Sequence, residues 1–143
     1  GPGRFRGGLG VETRYRVGGE GTQLVIFGDG DVEPAFGLAG GGPGTLNAIE
    51  LRYPDGTTYA PRSKDIVAGV PAGTLYVQHA GGGGGFGPPT ERPVERVRAE
   101  VSAGVISREA ARASYGVALV GDTLAVDESE TARLRAAAPG EVR

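Results

Sequence analysis

The run HAGGGGGFGPP, residues 79–89, separates a part of the chain with strand-like patterns from a part with helix-like patterns. Upstream, apolar and polar residues alternate in VETRYRV, residues 11–17, as in a half-buried strand. Downstream, Val94, Val97 and Val101 recur at the spacing of one helix face. These two periodicities predict a β-rich α+β fold, with two small sheets in a barrel- or sandwich-like body, ordered glycine-rich loops and short C-terminal helices.

Strand and helix boundaries follow from apolar runs and from turn and capping residues. Further strands are predicted at residues 23–27, 47–53, 57–60, 65–67 and 74–78, with residues 18–21 as a hairpin loop between the first two. Ser107 is typical of the N-cap of a second helix that ends near Gly116, and a small hairpin is expected at 117–126. Asp127 and Glu130 have the spacing of a capping box, so we expect a last helix to about Ala138, stopped by Pro139-Gly140.

The length of 143 residues fits one domain. We divide it into a β-rich body at residues 1–80, a glycine/proline connection at 81–92 and a mostly helical tail at 93–143. Glycine accounts for 28 residues, and the chain has only four Phe and five Tyr. Because glycine costs backbone entropy on folding and buries no side chain, we expect a modest core that gains stability from a partner surface.

Composition excludes several classes of function. There is no Cys, so disulfides, thiolate metal sites and thiol catalysis are impossible, and the single His79 leaves little for a histidine-rich metal site. The 15 basic and 17 acidic residues nearly balance, which argues against nucleic acid as a partner. No apolar run has the roughly 20 residues that span a bilayer, so we predict no membrane association and a cytoplasmic protein.

Residues 81–87 pose a choice between a phosphate cradle, a flexible linker and a packed structural element. Gly82, Gly84 and Gly87 satisfy G-x-G-x-x-G, but a five-glycine run does so almost automatically. A dinucleotide fingerprint needs a helix that opens inside the motif, and here Pro88-Pro89 intervenes without a Walker lysine. We therefore interpret the run as a tightly packed connection, and predict that Gly83→Val harms assembly before it harms nucleotide affinity.

Few polar residues form a pattern typical of chemistry. His79 at the end of a strand is the weak catalytic candidate, with a hydrogen-bonded structural role as the alternative. The acidic stretch GDGDVE, residues 28–33, lacks the later ligands of a calcium loop and is interpreted as a solvated turn. The arginines near the start of the chain indicate an interface or a solvated face, and they are Arg4, Arg6, Arg14 and Arg16.

Several separated stretches resemble one family. GPGRFRGGLG, FGLAGGGPG, YPDGT, GGGGGFG and EVSAGVISREAARASYGVAL occur in the order of the C-terminal region of the hydantoinase B/5-oxoprolinase B-type subunits. The final TARLRAAAP is similar to the family's chain end, so the resemblance covers almost the whole sequence. It departs from the family at Gly87-Pro88-Pro89, where Gly-Asp-Pro is usual, and at QHA before the run, where Thr-Pro is usual.

The resemblance implies a complex of larger A-type and B-type subunits. The A-type partner would bind ATP and phosphorylate a carbonyl or amide oxygen, and the metal ligands would lie in the N-terminal part of the B-type partner. This chain would bind no cofactor, with ATP and a divalent metal on its partners. The resemblance, with the patterns above, gives these interface or structural candidates: Arg4, Phe5, Arg6, Gly7, Gly8, Phe36, Gly41, Gly42, Gly83, Gly84, Phe86 and Tyr115.

Within that family, the length of the chain favours a split subunit. The resulting prediction is a small, largely structural subunit of an ATP-dependent ketone carboxylase of the acetophenone carboxylase type, inactive when isolated. One alternative is the C-terminal part of an ATP-dependent amidohydrolase, namely the B-type component of a hydantoinase, oxoprolinase or lactamase. The other is a non-catalytic interaction module.

Overall fold

A computed structural model of the chain describes residues 1–137. Its strands are β1 Val11–Arg16, β2 Thr22–Phe27, β3 Ala48–Arg52, β4 Thr58–Tyr59, β5 Lys64–Val70, β6 Leu75–Ala80, β7 Leu119–Val120 and β8 Ala125–Val126. Its helices are a 3-10 turn at Pro89–Glu91 and the α-helices α1 Val94–Ser102, α2 Arg108–Tyr115 and α3 Glu128–Ala136. The predicted helix end at Ala138 and the Pro139-Gly140 stop lie outside the described residues.

Contacts group the described residues into two compact units. The first, called the helical unit, combines residues 1–7, 36–43 and 84–137, and the second, the sandwich unit, combines residues 8–35 and 44–83. The chain passes from the sandwich unit to the helical unit between Gly83 and Gly84, inside the glycine run. The predicted division into residues 1–80, 81–92 and 93–143 of one domain stays a prediction.

The sandwich unit contains a four-stranded antiparallel sheet in the order β1-β6-β3-β4 and a two-stranded antiparallel sheet of β2 and β5. Tyr15, Tyr76 and Leu51 stand opposite one another across three strands and therefore share one face of the larger sheet. A cleft next to that face is also lined by Leu24 and Ile26 of β2, so the two sheets face each other. The predicted β-rich α+β sandwich-like body is confirmed, and the described residues form no closed barrel.

The pairing of β1 differs from the prediction. A hairpin of β1 and β2 across residues 18–21 was expected, but β1 pairs with β6 and β2 pairs with β5. Val17, after β1, accepts from Gly73 N–H and donates to Thr74 O, so the turn before β6 aligns these two strands. The long β1–β6 register outweighs a local hairpin whose loop glycines impose no particular turn. The hairpin around Pro54-Asp55-Gly56, by contrast, is confirmed by the β3–β4 pairing.

The helical unit confirms the predicted capping residues. The Ser107 hydroxyl accepts from Ala110 N–H at the start of α2, and Gly116 ends that helix in the left-handed conformation at φ 61°. The Asp127 carboxylate accepts from Glu130 N–H at the start of α3, as the capping box predicts. A full capping box would also have the Glu130 side chain accept from Asp127 N–H. Here Asp127 N–H donates to Ala118 O instead, and the Glu130 carboxylate pairs with Arg112 and Arg133. Helices α1 and α2 bury the core cluster of Val97, Ala111, Tyr115 and Val117.

Candidate functional site

In the glycine run, the backbone amides of residues 81–83 and 85–87 are already hydrogen-bonded within the protein. Gly81 and Gly82 donate to the Asn47 Oδ1 and Thr45 Oγ1 atoms, at 2.5 and 2.9 Å. Gly83 N–H donates to Gly8 O at 3.1 Å. Further along, residue 85 donates to the carbonyl of residue 42, residue 86 to that of residue 5, and residue 87 to that of residue 38. A phosphate cradle requires several amides that converge on empty space. These amides do not offer such a site.

Three chain segments of the helical unit lie side by side with backbone in contact with backbone. Phe5 and Phe86 exchange two N–H···O bonds of 2.9 Å, which join residues 1–7 to residues 84–87. Leu38 N–H donates to Gly85 O at 2.9 Å, and Gly42 N–H donates to Pro2 O at 2.7 Å. Each segment is thus bonded to both others. We call this arrangement of residues 1–7, 36–43 and 84–87 the glycine bundle.

The glycine bundle has no room for side chains at its contacts. A Cβ at Gly84 would lie 1.9 Å from Phe36 O, and one at Gly85 would lie 1.9 Å from Pro2 O. At Gly41 the corresponding distance to Gly85 O is 2.1 Å. Glycine is required here because its hydrogen occupies that direction, in the geometry of weak Cα–H···O contacts. The close backbone packing inferred from the sequence is therefore present.

Gly83 differs from its neighbours in the run. Among residues 1–137, a Cβ at Gly83 would meet only Gly8 N, at 3.5 Å, which is an ordinary contact. The backbone of Gly83 is not in the left-handed region, so alanine fits there. Within the run, Gly84 and Gly85 therefore tolerate a side chain less than Gly83 does, and the expected effect of Gly83→Val on assembly stays a prediction. Gly8 is similarly open, since no atom of the described part of the chain lies within 4 Å of an added Cβ.

A row of apolar side chains stands on the glycine bundle. Phe86 forms β-bridges with both Phe5 and Leu38, so the three side chains come from three adjacent segments. The Phe5 and Phe86 ring centroids are 6.3 Å apart, and the Arg4 guanidinium lies 5.6 Å from the Phe5 centroid. All three apolar side chains are exposed, as is Phe36. The sequence identified Phe5, Phe36 and Phe86 but missed Leu38, whose only signal is that it is a large apolar residue among glycines.

A partly buried ion cluster fixes the first residues of the chain to the helices. Arg92 donates to both carboxylate oxygens of Glu100, at 2.7 and 3.2 Å, and to Arg4 O at 2.8 Å. Arg6 Nε donates to Glu100 Oε1 at 3.1 Å. Burial opposes the charge on Glu100, but hydrogen bonds from Arg92 and Arg6 outweigh it and lower the pKa of Glu100. Sequence patterns did not identify Arg92 or Glu100, because no spacing rule links them to the distant Arg6.

Further candidates of the helical unit have structural surroundings. The Tyr115 ring is buried in the helical core, and its pKa is raised by burial and then by the negative charge of Glu100. Gly7 N–H donates to Gly1 O at 3.0 Å. A Cβ at Gly42 would lie 2.8 Å from Pro2 Cγ, inside the glycine bundle. Whether any of these residues takes part in an interface stays a prediction.

His79 lies on the charged face of the four-stranded sheet. It is opposite Glu12 of β1, and its Nδ1 atom is 3.4 Å from Glu12 Oε2. Arg14 pairs with the same Glu12, and Arg16 donates to Gly73 O. Within residues 1–137, no group of three or more His, Cys, Asp or Glu side chains could hold a metal ion. The geometry at His79 is that of an exposed side-chain contact with Glu12.

The acidic turn at residues 28–33 is bound to the start of β5. Asp31 accepts from both the N–H and the hydroxyl of Ser63, at 3.1 and 2.7 Å, and these bonds lower the pKa of Asp31. Lys64 Nζ is 3.0 Å from Asp29 Oδ1. Ser63 and Lys64 thus act as partners of this turn.

No helix in the described part of the chain has the length and apolar character needed to cross a membrane.

Known proteins share this fold. The beta chain of a caprolactamase from Pseudomonas jessenii is 33% identical over 141 residues, which are 96% of this chain and 24% of that protein. The B component of a putative D-/L-hydantoinase from Pseudomonas sp. (strain NS671) is 27% identical over 94% of this chain and 22% of its own length. The chain therefore spans about a quarter of the length of these curated relatives.

Solved structures agree with these sequence matches. The crystal structure of the ATP-dependent caprolactamase from Pseudomonas jessenii superimposes with a TM-score of 0.75 at 31% identity, covering 95% of this chain and 24% of that one. A nucleotide-free acetone carboxylase has a TM-score of 0.72 at 23% identity, covering 94% and 22%, and shows the shared fold alone. The model of one family, hydantoinase B/oxoprolinase, matches residues 1–89, and the chain belongs to that family.

Proposed function

We propose that this chain is a largely structural part of the B-type component of an ATP-dependent enzyme complex. The observation that carries the proposal is the glycine run, in which the amides of residues 81–83 and 85–87 are bonded within the protein and Gly84 and Gly85 lie against neighbouring carbonyls. Such an element holds backbone segments in place and supplies no phosphate site. The partly buried cluster of Arg92 and Glu100 has the same role, since it fixes the glycine bundle to the helices.

The partners in this proposal are the remaining B-type region and a larger A-type protein. Relatives that this chain matches over 22–24% of their length support a larger assembly. The exposed row of Phe5, Phe86 and Leu38 on a hydrogen-bonded backbone fits a protein surface, because side chains on an ordered backbone lose little entropy on binding. We place ATP and a divalent metal on the partner subunits, and the complex in the cytoplasm, where ATP is available.

For the reaction, we infer hydrolysis of a cyclic amide. Support comes from the caprolactamase beta chain at 33% identity and from the B component of the putative hydantoinase. The A-type partner would transfer the terminal phosphate of ATP to the amide oxygen, and water would then open the ring. The products would be an amino acid or carbamoyl amino acid, ADP and phosphate. This chain would position its partners and contribute no group to the bond changes.

Ketone carboxylation is the second candidate and was the leading prediction from the sequence. The acetone carboxylase match at TM-score 0.72 is compatible with it, although at 23% identity it concerns the fold. In that reaction ATP would activate bicarbonate and the ketone, and the product would be a β-keto acid. The acetophenone carboxylase type of complex stays a prediction.

One set of assays on the purified complex separates these proposals. ADP release is measured with caprolactam, hydantoin or 5-oxoproline, and with acetone or acetophenone plus bicarbonate. Ring-opened product that depends on ATP supports the amide hydrolase, whereas bicarbonate-dependent acid from a ketone supports the carboxylase. If the intact complex hydrolyses no ATP with either class, the proposed enzyme function is wrong. If the chain purifies as a stable monomer without larger partners, it is an independent interaction module.

A further inference from the structure

The two-stranded sheet of the sandwich unit is incomplete. Within residues 1–137, β2 has β5 as its only strand neighbour, and β5 has only β2. Each strand therefore has an edge without a strand beside it. A ribbon of two strands is marginally stable in water, and a free edge is a template for pairing with another strand.

The composition of β2 is typical of a strand that is covered on both faces. Residues 23–27 read QLVIF, a continuous apolar run after the first residue, without the alternation of a half-exposed strand. Leu24 and Ile26 line the cleft toward the four-stranded sheet, so one face is covered. The other face carries Val25 and Phe27, which are 67% and 86% exposed.

The exposed face continues onto β5. Ile66 stands directly opposite Val25 in the antiparallel register and is 63% exposed. The Lys64 ammonium group lies 6.0 Å from the centre of the Phe27 ring and also binds Asp29. Three adjacent apolar side chains with charged residues at their margin have the composition of a protein interface. We call Val25, Phe27 and Ile66 the ribbon face.

The gap between the sheets is also open beside β2. A cleft of about 290 Å³ is lined by apolar or aromatic residues of both sheets, and among them are Tyr15, Leu24, Ile26 and Tyr76. A partner that covers the ribbon face and pairs with the edge of β2 would also bury this cleft. The cleft, the edge and the ribbon face thus belong to one surface.

We infer that the ribbon of β2 and β5 is completed by a strand and apolar side chains from the remaining three-quarters of the B-type protein. The occupant follows from the relatives, in which this region makes up 24% of a single chain and the rest belongs to the same polypeptide. An uncovered, strongly apolar face is typical of obligate contacts, whereas transient partners meet more polar surfaces. The inference depends on the B-type role proposed above but not on the substrate.

Photo-crosslinking in the assembled complex tests this inference. A benzophenone amino acid is placed at Phe27, and a matched control is placed at Val120, an exposed apolar residue of β7. The complex is purified through a tag on this chain. The form with benzophenone at Phe27 is expected to crosslink to the remaining three-quarters of the B-type protein, and the form with benzophenone at Val120 is not. A crosslink from Phe27 to the ATP-binding partner, to a second copy of this chain, or to nothing would overturn the inference.

Charge substitutions give a second measurement. Val25→Asp should weaken association with the rest of the B-type protein by roughly 10- to 100-fold, since it places a carboxylate in an apolar contact. Val120→Asp should leave association unchanged, and circular dichroism of both variants reports whether the chain is folded. Equal association of a folded Val25→Asp variant and the parent chain contradicts the inference. Failure of the substrate assays would leave both measurements intact and would affect only the proposed function.

Discussion

Replacing Gly84 by alanine should destabilise the protein, whereas the same change one residue earlier should not. The Cβ introduced at Gly84 would lie 1.9 Å from Phe36 O and 2.5 Å from Phe36 C. At Gly83 the nearest atom would be 3.5 Å away, and the Gly83 amide keeps its bond to Gly8 O. The two substitutions add the same methyl group to the same glycine run, so their difference measures the packing of the glycine bundle.

The magnitude follows from the displacement that the methyl group demands. A carbon–oxygen contact requires roughly 3.3 Å, so the two segments must separate by roughly 1.4 Å at Gly84. The bonds Leu38 N–H to Gly85 O and Gly87 N–H to Leu38 O, now 2.9 and 3.0 Å, would then be broken. Overpacking costs about 1–3 kcal/mol and each lost bond about 1 kcal/mol. Alanine recovers about 0.4–1 kcal/mol through the unfolded chain, which leaves a net loss of about 2–5 kcal/mol.

Thermal and denaturant unfolding of the parent and the two variants provide the assay. We expect Gly84→Ala to lower Tm by roughly 10 °C and Gly83→Ala to leave Tm unchanged or raise it by a few degrees. The m-value serves as a control, because an unchanged slope shows that the same cooperative unit unfolds. Equal Tm values for Gly84→Ala and Gly83→Ala would refute the close backbone contact at Gly84.

Three further perturbations test the helical unit, and a fourth tests His79. Arg92→Met should cost about 3 kcal/mol in denaturant unfolding, because it removes one partner of a buried pair. The lowered pKa of Glu100 stabilises the fold above the usual value of 4.5, and this contribution is lost as the pH falls through the lower folded-state pKa, so Glu100→Gln should flatten the acid limb of the stability curve. Ser107→Ala should cost about 1 kcal/mol through the lost N-cap of α2. His79→Ala should leave activity and assembly of the complex intact, since its contact with Glu12 is exposed to solvent.

Specific results would contradict these expectations. An Arg92→Met variant as stable as the parent would mean that Glu100 is sufficiently paired by Arg6 alone. Identical acid limbs for the parent and Glu100→Gln would show that another carboxylate dominates acid unfolding. An unchanged free energy of unfolding for Ser107→Ala would assign the start of α2 to tertiary packing. Loss of turnover with normal assembly in His79→Ala would assign that residue a part in the reaction.

The helices of this protein could be predicted closely because their signals are local. The valines of α1 recur at helical spacing, and Ser107, Gly116 and Asp127 mark helix ends through bonds to residues within five positions. The turn at residues 54–56 was predictable for the same reason. Each of these features depends on a few neighbouring residues, so a single sequence contains the information.

The partner of β1 and the partner segments of the glycine bundle could not be predicted, because their determinants are distant in sequence. Whether β1 pairs with β2 or β6 depends on a turn more than 50 residues away at Gly73. Pro88-Pro89 and the missing Walker lysine favour a packed connection over a phosphate loop, but only the positions of the facing carbonyls show which glycines are in contact. The sequence does not show that Gly83 has room for a side chain and Gly84 has none, since both lie within the same GGGGG run.

The glycine bundle can form only after most of the chain has been synthesised. Residues 1–7 have their bundle partners at 36–43 and 84–87, so the last partner emerges from the ribosome 80 positions after Gly7. At about 5–20 residues per second, that interval lasts roughly 4–16 s. Throughout it, Phe5 and the unpaired backbone around it are available to chaperones and to aggregation. Codon choice between residues 7 and 87 should therefore influence the yield of folded protein more than codon choice after the bundle has closed.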